Sequence, residues 1–285
     1  PRHKSLLLTV PPSDFPSLDT YVSDVGASSS SSSVVRGYGV HPWHVHLHPP
    51  PSYLPSIRSK LTADPGLMVG EIGLDKSARW LRTREGADGV VDRVGNWEIM
   101  KGSFEEQFKL AGEMERGVSV HLVNKVFGPF YDFMEGYRGR FPPVVSCHSY
   151  SGTAEFAGRL VGMEGGKGTR FYFGFSRCVN FGGGGGGGGE GGRSRSRERL
   201  EGTMRGIPVD RILVESDVMG GGCNVEECLG TLGCVVEVLE KGGEKGERVV
   251  ASGKGGKGRE KIVRQICENG WEFLRRATPR GRDGL

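Results

Sequence analysis

Five polar side chains at or near the ends of predicted strands could carry hydrolytic chemistry. They are His41, Glu71, His121, His148 and Asp217. Alone, such a histidine can cap a loop and such a carboxylate can pair with an arginine. Together, imidazole nitrogens and carboxylate oxygens form a mixed ligand set suited to zinc, manganese or magnesium. A bound cation lowers the pKa of its water enough to supply hydroxide near neutral pH, so the residue types predict metal-dependent hydrolysis.

The elements that must position these residues form an alternating pattern. Strands are predicted at 5–10, 34–40, 67–73, 118–123, 144–149, 170–175 and 211–215, and helices at 53–62, 104–116, 153–161, 224–240 and 261–276. Such alternation predicts an α/β fold with a parallel sheet and crossover helices. In a closed (β/α)8 barrel the strand ends meet around one axis, which would bring Glu71, His121, His148 and Asp217 together.

Composition excludes several classes of protein. The chain has 285 residues, of which 36% are hydrophobic and 25% charged, so a wholly disordered chain is excluded. Its 49 glycines follow no collagen period, and its six cysteines include no C-x-x-C pair, which argues against a thiolate zinc site. The sequence shows neither a membrane-length apolar run nor a signal peptide, so we expect a cytoplasmic or nuclear protein without membrane contact.

Charge and low complexity are concentrated in three segments, at 28–33, 182–199 and 241–258. The net charge of +4 arises from +6 in residues 241–285 and +3 in residues 193–199, against −5 elsewhere. The folded part therefore has no basic character that would indicate nucleic acid. Without the three segments 243 residues remain, close to the roughly 250 of a (β/α)8 barrel, which predicts a single domain over 1–285 with three insertions lacking regular structure.

Six stretches resemble the TatD-type metal-dependent hydrolases of the amidohydrolase-like barrel superfamily. They are GVHPW at 39–43, VGEIGLD at 69–75, FEEQF at 104–108, VSVH at 118–121, CHSYSG at 147–152 and IPVDRILVESD at 207–217. The resemblance implies a TIM-barrel-like fold with one or two divalent ions, zinc, magnesium or manganese. It further implies that Glu71, His121 and His148 are metal ligands, that Asp217 is a ligand beside the attacking water, and that His41 contacts substrate phosphate.

The chain departs from this family at its first strand. Family members begin with a strand ending in His-x-His, whereas nothing equivalent precedes residues 5–10. Only seven strands are predicted, so we expect an incomplete barrel and feeble nuclease activity that an added His-x-His strand would raise. The HVHLH run at 44–48 has the same spacing, but it follows the His41 motif and enters three prolines, which predicts a loop.

Three functions are consistent with these observations. The first is a metal-dependent hydrolase that cleaves phosphodiester bonds, DNA being the expected substrate, with Asp217 and Glu71 as catalytic residues. The second is a catalytically impaired TatD-like barrel that binds a protein partner, which the absent His-x-His favours. The third is an RNA-associated protein acting through its Arg/Ser and Gly/Lys segments, but no RNA-binding motif supports it.

Deleting the glycine run at 182–189 tests the assignment of an insertion. We expect a nearly unchanged melting temperature, because glycine offers no apolar surface to anchor the run. Thermal unfolding of the full and deleted chains, followed by circular dichroism, gives the two melting temperatures. A large drop would show that the run packs against the core.

Overall fold

The computed structural model describes residues 3–8, 13, 15–16, 32–86, 89–123, 126–182, 190–218, 225–244 and 256–279. The chain divides into two compact units, the first comprising 1–146 and 274–285 and the second 147–273. Among the described helices, none combines the length and apolarity needed to cross a lipid bilayer.

The first unit is built on parallel strands paired in chain order. Its elements are β1 (His3–Leu8), β2 (Ser32–Tyr38), α1 (Pro50–Ala63), β3 (Met68–Asp75), α2 (Arg93–Glu113), β4 (Val118–Val123) and α3 (Phe127–Gly136). Strand β1 pairs with β2, β2 with β3 and β3 with β4, all in parallel. Every residue of β3 is buried, which is typical of a parallel sheet covered on both faces.

The second unit continues the same alternation. It contains α4 (Ala154–Val161), β6 (Phe171–Ser176), α5 (Arg177–Asn180), α6 (Glu190–Gly206), β7 (Ile212–Glu215) and α7 (Val225–Glu244). Strand β5 (Val145–His148) and helix α8 (Gly256–Ala277) have residues in both units. Strands β6 and β7 pair in parallel. Buried Asn269 of α8 ties this helix to the start of β7 by donating hydrogen bonds to the carbonyls of Val209 and Ile212 at 2.7 and 2.8 Å.

The seven predicted strands are confirmed, each within two residues of its predicted ends. The helix predictions agree less closely with the structure. Helix α2 begins eleven residues before the predicted 104–116, because Asp92 caps its first turn by accepting a hydrogen bond from Gly95 N at 2.8 Å. Glycines in this first half had weakened the helical pattern. Helices α3, α5 and α6 were not predicted.

Parts of the three low-complexity segments have regular structure, so the prediction that they lack it is wrong for those residues. Residues 32–33 belong to β2, 190–199 to α6, 241–244 to α7 and 256–258 to α8. Arginine is a good helix former, and Arg197 also pairs with Glu201 one turn later at 3.0 Å, which supports helix α6. The remaining residues of these segments, except Gly182, lie outside the described residues.

An aromatic cluster forms the contact between α2 and α3. Phe104 and Phe108 of α2 meet Phe133 of α3 with ring centroids 5.2 and 5.4 Å apart, both edge to face. Both α2 rings are buried. Burying a phenylalanine side chain contributes roughly 1.5–3 kcal/mol, so this cluster anchors α2.

The anchored helix holds the backbone just after β2 through Gln107. Its amide oxygen accepts a hydrogen bond from Val40 N at 2.7 Å, and its amide nitrogen donates to Val40 O at 3.1 Å. The side chain thus takes the place of a neighbouring strand for the residue just before His41. Val40 and Gln107 are both fully buried.

Replacing Gln107 should therefore destabilise the chain. In Gln107→Leu the buried N–H and C=O of Val40 lose their partner, and each unsatisfied group costs about 1–3 kcal/mol. We expect the free energy of unfolding, measured by urea titration, to fall by about 2–4 kcal/mol. Glu106→Leu, at an exposed position of the same helix, is the control and should change little. Equal stability of the two variants would contradict the role given to Gln107.

Candidate metal site

Four titratable side chains of the first unit lie in or shortly after three neighbouring parallel strands. His41 comes shortly after β2, Glu71 and Asp75 lie in β3, and His121 lies in β4. Because these strands run in parallel, their carboxyl ends lie at one edge of the sheet. The β3–β4 register is irregular between Val69 and Ile72, the step that contains Glu71. Such irregularities re-aim a side chain.

His41, Glu71 and His121 form a compact cluster of potential ligands. Their ligand atoms lie within 4.8 Å of one another. His121 Nδ1 is 3.1 Å and His41 Nε2 is 3.7 Å from Glu71 Oε1. Glu71 and His41 are buried, at 8% and 4% exposure. A carboxylate and an imidazole nitrogen at this spacing fit the mixed nitrogen and oxygen ligation of a divalent cation.

A hydrogen bond from the backbone of Trp43 determines the tautomer of His41. Its Nδ1 accepts a hydrogen bond from the backbone N–H of Trp43 at 3.2 Å, so Nδ1 carries no proton. Burial lowers the pKa of His41 to about 3, despite the raising effect of Glu71, so the ring is neutral near pH 7. Its single proton is therefore on Nε2, which makes this atom a hydrogen-bond donor.

Asp75 is a buried carboxylate that sequence reasoning did not select. It accepts hydrogen bonds from Trp43 Nε1 at 2.7 Å, from Ser77 N at 2.7 Å and from Ser77 Oγ at 2.6 Å, and His121 Nε2 lies 3.3 Å away. Burial alone would raise the pKa of Asp75, but these hydrogen bonds hold it well below its usual range. Its position at the end of the GEIGLD string was the available signal.

The ring of His121 thus lies between two carboxylates, Glu71 at Nδ1 and Asp75 at Nε2. Burial lowers its pKa, but the hydrogen bonds to Asp75 and Glu71 outweigh this effect and raise it. Electrostatic attraction therefore holds the ring in place.

A second cluster lies in the second unit around His148. Its Nδ1 is 3.0 Å from Glu215 Oε1, and its Nε2 is 2.9 Å from Asp217 Oδ1. Ser149 donates its hydroxyl to Asp217 Oδ2 at 2.7 Å and its backbone N–H to Glu215 Oε1. Sequence reasoning selected His148 and Asp217 and missed Glu215, two residues earlier in the LVESD string.

The predicted site residues therefore fall into two clusters, one in each unit. Glu71, His121 and His41 belong to one cluster, and His148 and Asp217 to the other. The convergence of Glu71, His121, His148 and Asp217 on one ion stays a prediction.

The HVHLH run forms turns at 42–47, which agrees with the predicted loop. The ring of His46 stacks on Trp80 with centroids 4.8 Å apart.

Comparison with known proteins gives the class and then the family. Parallel strands alternating with helices, with acidic and imidazole side chains at the strand ends, are the arrangement of TIM-barrel-like hydrolases. A family model described as TatD related DNase matches residues 24–219, more than half of the chain. The chain belongs to this family, as the motifs predicted.

Solved structures show the same fold. The TatD homologue YjjV of Escherichia coli K12 matches with a TM-score of 0.63 and 17% identity, over 94% of this chain and 85% of that chain. A TatD-family hydrolase of Entamoeba histolytica gives 0.64 and 12%, over 95% and 84%. An uncharacterised amidohydrolase of Saccharomyces cerevisiae gives 0.55 and 15%, over 95% and 89%. The predicted fold class, α/β and TIM-barrel-like, is confirmed.

A curated relative is the Cut9-interacting protein scn1 of Schizosaccharomyces pombe. It is 27% identical over a match that covers 58% of this chain and 54% of the relative. The chain thus spans about half the length of this relative.

Gly174 provides the space that Glu215 occupies. A Cβ atom added at Gly174 would lie 2.6 Å from Glu215 Oε2. We expect Gly174→Ala to displace this carboxylate from His148 and Ser149 and to lower the free energy of unfolding by about 1–3 kcal/mol. Urea titration measures the loss.

Gly158→Ala is the matched control, since a Cβ at this helical position meets nothing within 4 Å. Its higher helix propensity should leave stability unchanged or raise it by up to about 1 kcal/mol. A Gly174→Ala variant as stable as Gly158→Ala would show that Glu215 moves without cost.

Proposed function

We propose that this protein is a metal-dependent hydrolase that cleaves phosphodiester bonds, with DNA as its substrate. The observation that carries the proposal is the buried cluster in which His121 Nδ1 and His41 Nε2 both face Glu71 Oε1. Membership of the TatD-related DNase family supports it.

The proposed metal ligands are Glu71 and His121 in the first unit, and His148 and Asp217 in the second. Their nitrogen and oxygen donors suit zinc, magnesium or manganese, in one or two sites. When bound, such a cation polarises a phosphoryl oxygen and makes hydroxide available near neutral pH. Glu71 is central among these ligands because it contacts both histidines of its cluster.

His41 binds the substrate instead of the cation. Its Nδ1 already accepts the Trp43 N–H, so its Nε2–H is available to donate to a phosphate oxygen beside Glu71. Using Nε2 as a metal ligand would move the proton to Nδ1 and break the bond to Trp43. The geometry therefore favours the role that the resemblance implied.

Asp217 orients and deprotonates the attacking water. Ser149 donates to one of its oxygens, and His148 lies 2.9 Å from the other. These contacts fix the position of the carboxylate, which a general base requires.

Location in a reducing compartment, the cytoplasm or the nucleus, forms part of the proposal. The described cysteines, Cys147, Cys178, Cys228, Cys234 and Cys267, are all free thiols. Free thiols are typical of intracellular proteins.

A second candidate function is binding of a protein partner by a barrel with an impaired site. The observation that favours it is the name of the fission yeast relative, a Cut9-interacting protein. Under this function, the His41–Glu71–His121 cluster would be retained for stability. Added metal would then produce no turnover.

Hydrolysis of a fluorescently labelled single-stranded DNA with added manganese tests the proposal. We expect weak hydrolysis that falls by at least about a hundredfold in Glu71→Gln, because the amide has no charge to attract a cation. Glu113→Gln is the matched control, since Glu113 forms an exposed ion pair with Arg58. It should retain activity.

Turnover that survives Glu71→Gln would contradict the proposed site. Absence of both turnover and manganese binding in the unmodified chain would favour the protein-binding function.

A further inference from the structure

Asp75 lies beside the proposed ligands without belonging to them. It is 1% exposed, and both of its carboxylate oxygens are occupied. Oδ1 accepts from the backbone N–H and the hydroxyl of Ser77, while Oδ2 accepts from the indole N–H of Trp43. Held on both sides, this carboxylate cannot rotate without losing a hydrogen bond.

The partners of Asp75 determine the proton position on His121. The indole nitrogen of Trp43 is a donor only, so Oδ2 must be an acceptor. His121 Nε2 faces the same oxygen at 3.3 Å and must therefore be the protonated nitrogen. When the ring loses its other proton, the lone pair is left on Nδ1, 3.1 Å from Glu71 Oε1.

We propose that Asp75 is a positioning residue that fixes His121 in its Nε2–H tautomer and so presents Nδ1 to a divalent cation beside Glu71. The inference rests on the metal site of the proposed function. A carboxylate behind a ligating histidine orients the ring and raises the basicity of its lone pair.

Asparagine cannot take over this role. Its side chain has a single acceptor oxygen, whereas Asp75 receives donors at both oxygens. If the amide nitrogen faced Ser77, it would meet a backbone N–H. If it faced Trp43 and His121, it would meet the indole N–H and favour the opposite histidine tautomer, with its proton on Nδ1.

Manganese affinity of the metal-free protein, measured by titration calorimetry, tests the inference in Asp75→Asn. We expect binding at least tenfold weaker than in the unmodified chain. Asp64→Asn is the matched control, since Asp64 also binds a donor, Arg36 at 2.8 Å, and should bind manganese normally. A smaller loss in Asp75→Asn, or an equal loss in the control, would overturn the inference.

Nitrogen-15 NMR of the unmodified chain gives a second measurement that does not depend on how the variant folds. The signals of His121 are assigned by their loss in His121→Gln and followed to a pH at which the ring is neutral. We expect the proton on Nε2, and a proton on Nδ1 would overturn the inference.

Glu71→Gln distinguishes this failure from failure of the proposed function. If Glu71→Gln loses manganese while Asp75→Asn retains it, only the role of Asp75 is wrong. If Glu71→Gln also retains manganese, the proposed metal site itself is wrong.

Discussion

A carboxylate shielded from water is stable only when donors surround it, and this requirement governs the two clusters described, with Asp75 buried and Glu215 half-buried. In the first unit, Trp43 and Ser77 hold Asp75, which in turn faces His121. In the second unit, Ser149 holds Glu215, which faces His148 Nδ1. In each cluster one anchored carboxylate contacts one nitrogen of the imidazole, and the other nitrogen faces another carboxylate.

The same requirement gives the two histidines near Glu71 different roles. His41 receives a backbone N–H at Nδ1, which leaves its Nε2 as a donor. Neutral His121 keeps the Nε2–H that faces Asp75, which leaves its Nδ1 as an acceptor. Their rings are only 4.4 Å apart, so neighbouring imidazoles of identical composition present opposite polarity to Glu71. Trp43 contributes to both arrangements, through its backbone at His41 and its indole at Asp75.

Much of the fold and part of the site could be predicted from the sequence. The strands could be predicted because apolar β-branched runs such as 118–123 differ clearly in composition from the turns beside them. Helix α6 could not be predicted, because its Arg/Ser and glycine content is typical of a low-complexity segment. The Arg197–Glu201 pair that stabilises the helix did not stand out in this composition. Among the candidate site residues, His121 and His148 were found because they lie near or at the ends of strands. Asp75 and Glu215 were missed, because their importance lies in contacts to residues 32 to 67 positions away.

The amide of Gln107 connects the position of His41 to the order of folding. Val40, two residues after β2, obtains its hydrogen-bond partner from a residue 67 positions later, so this hydrogen bond cannot form until α2 has docked. Contacts between residues so far apart in sequence form later and more slowly than local helices. The loop that begins at His41 would then be among the last parts to order and among the first to open in the native ensemble. Exchange of the Val40 amide hydrogen with solvent reports the undocking of a helix, although the amide itself lies just after the end of a strand.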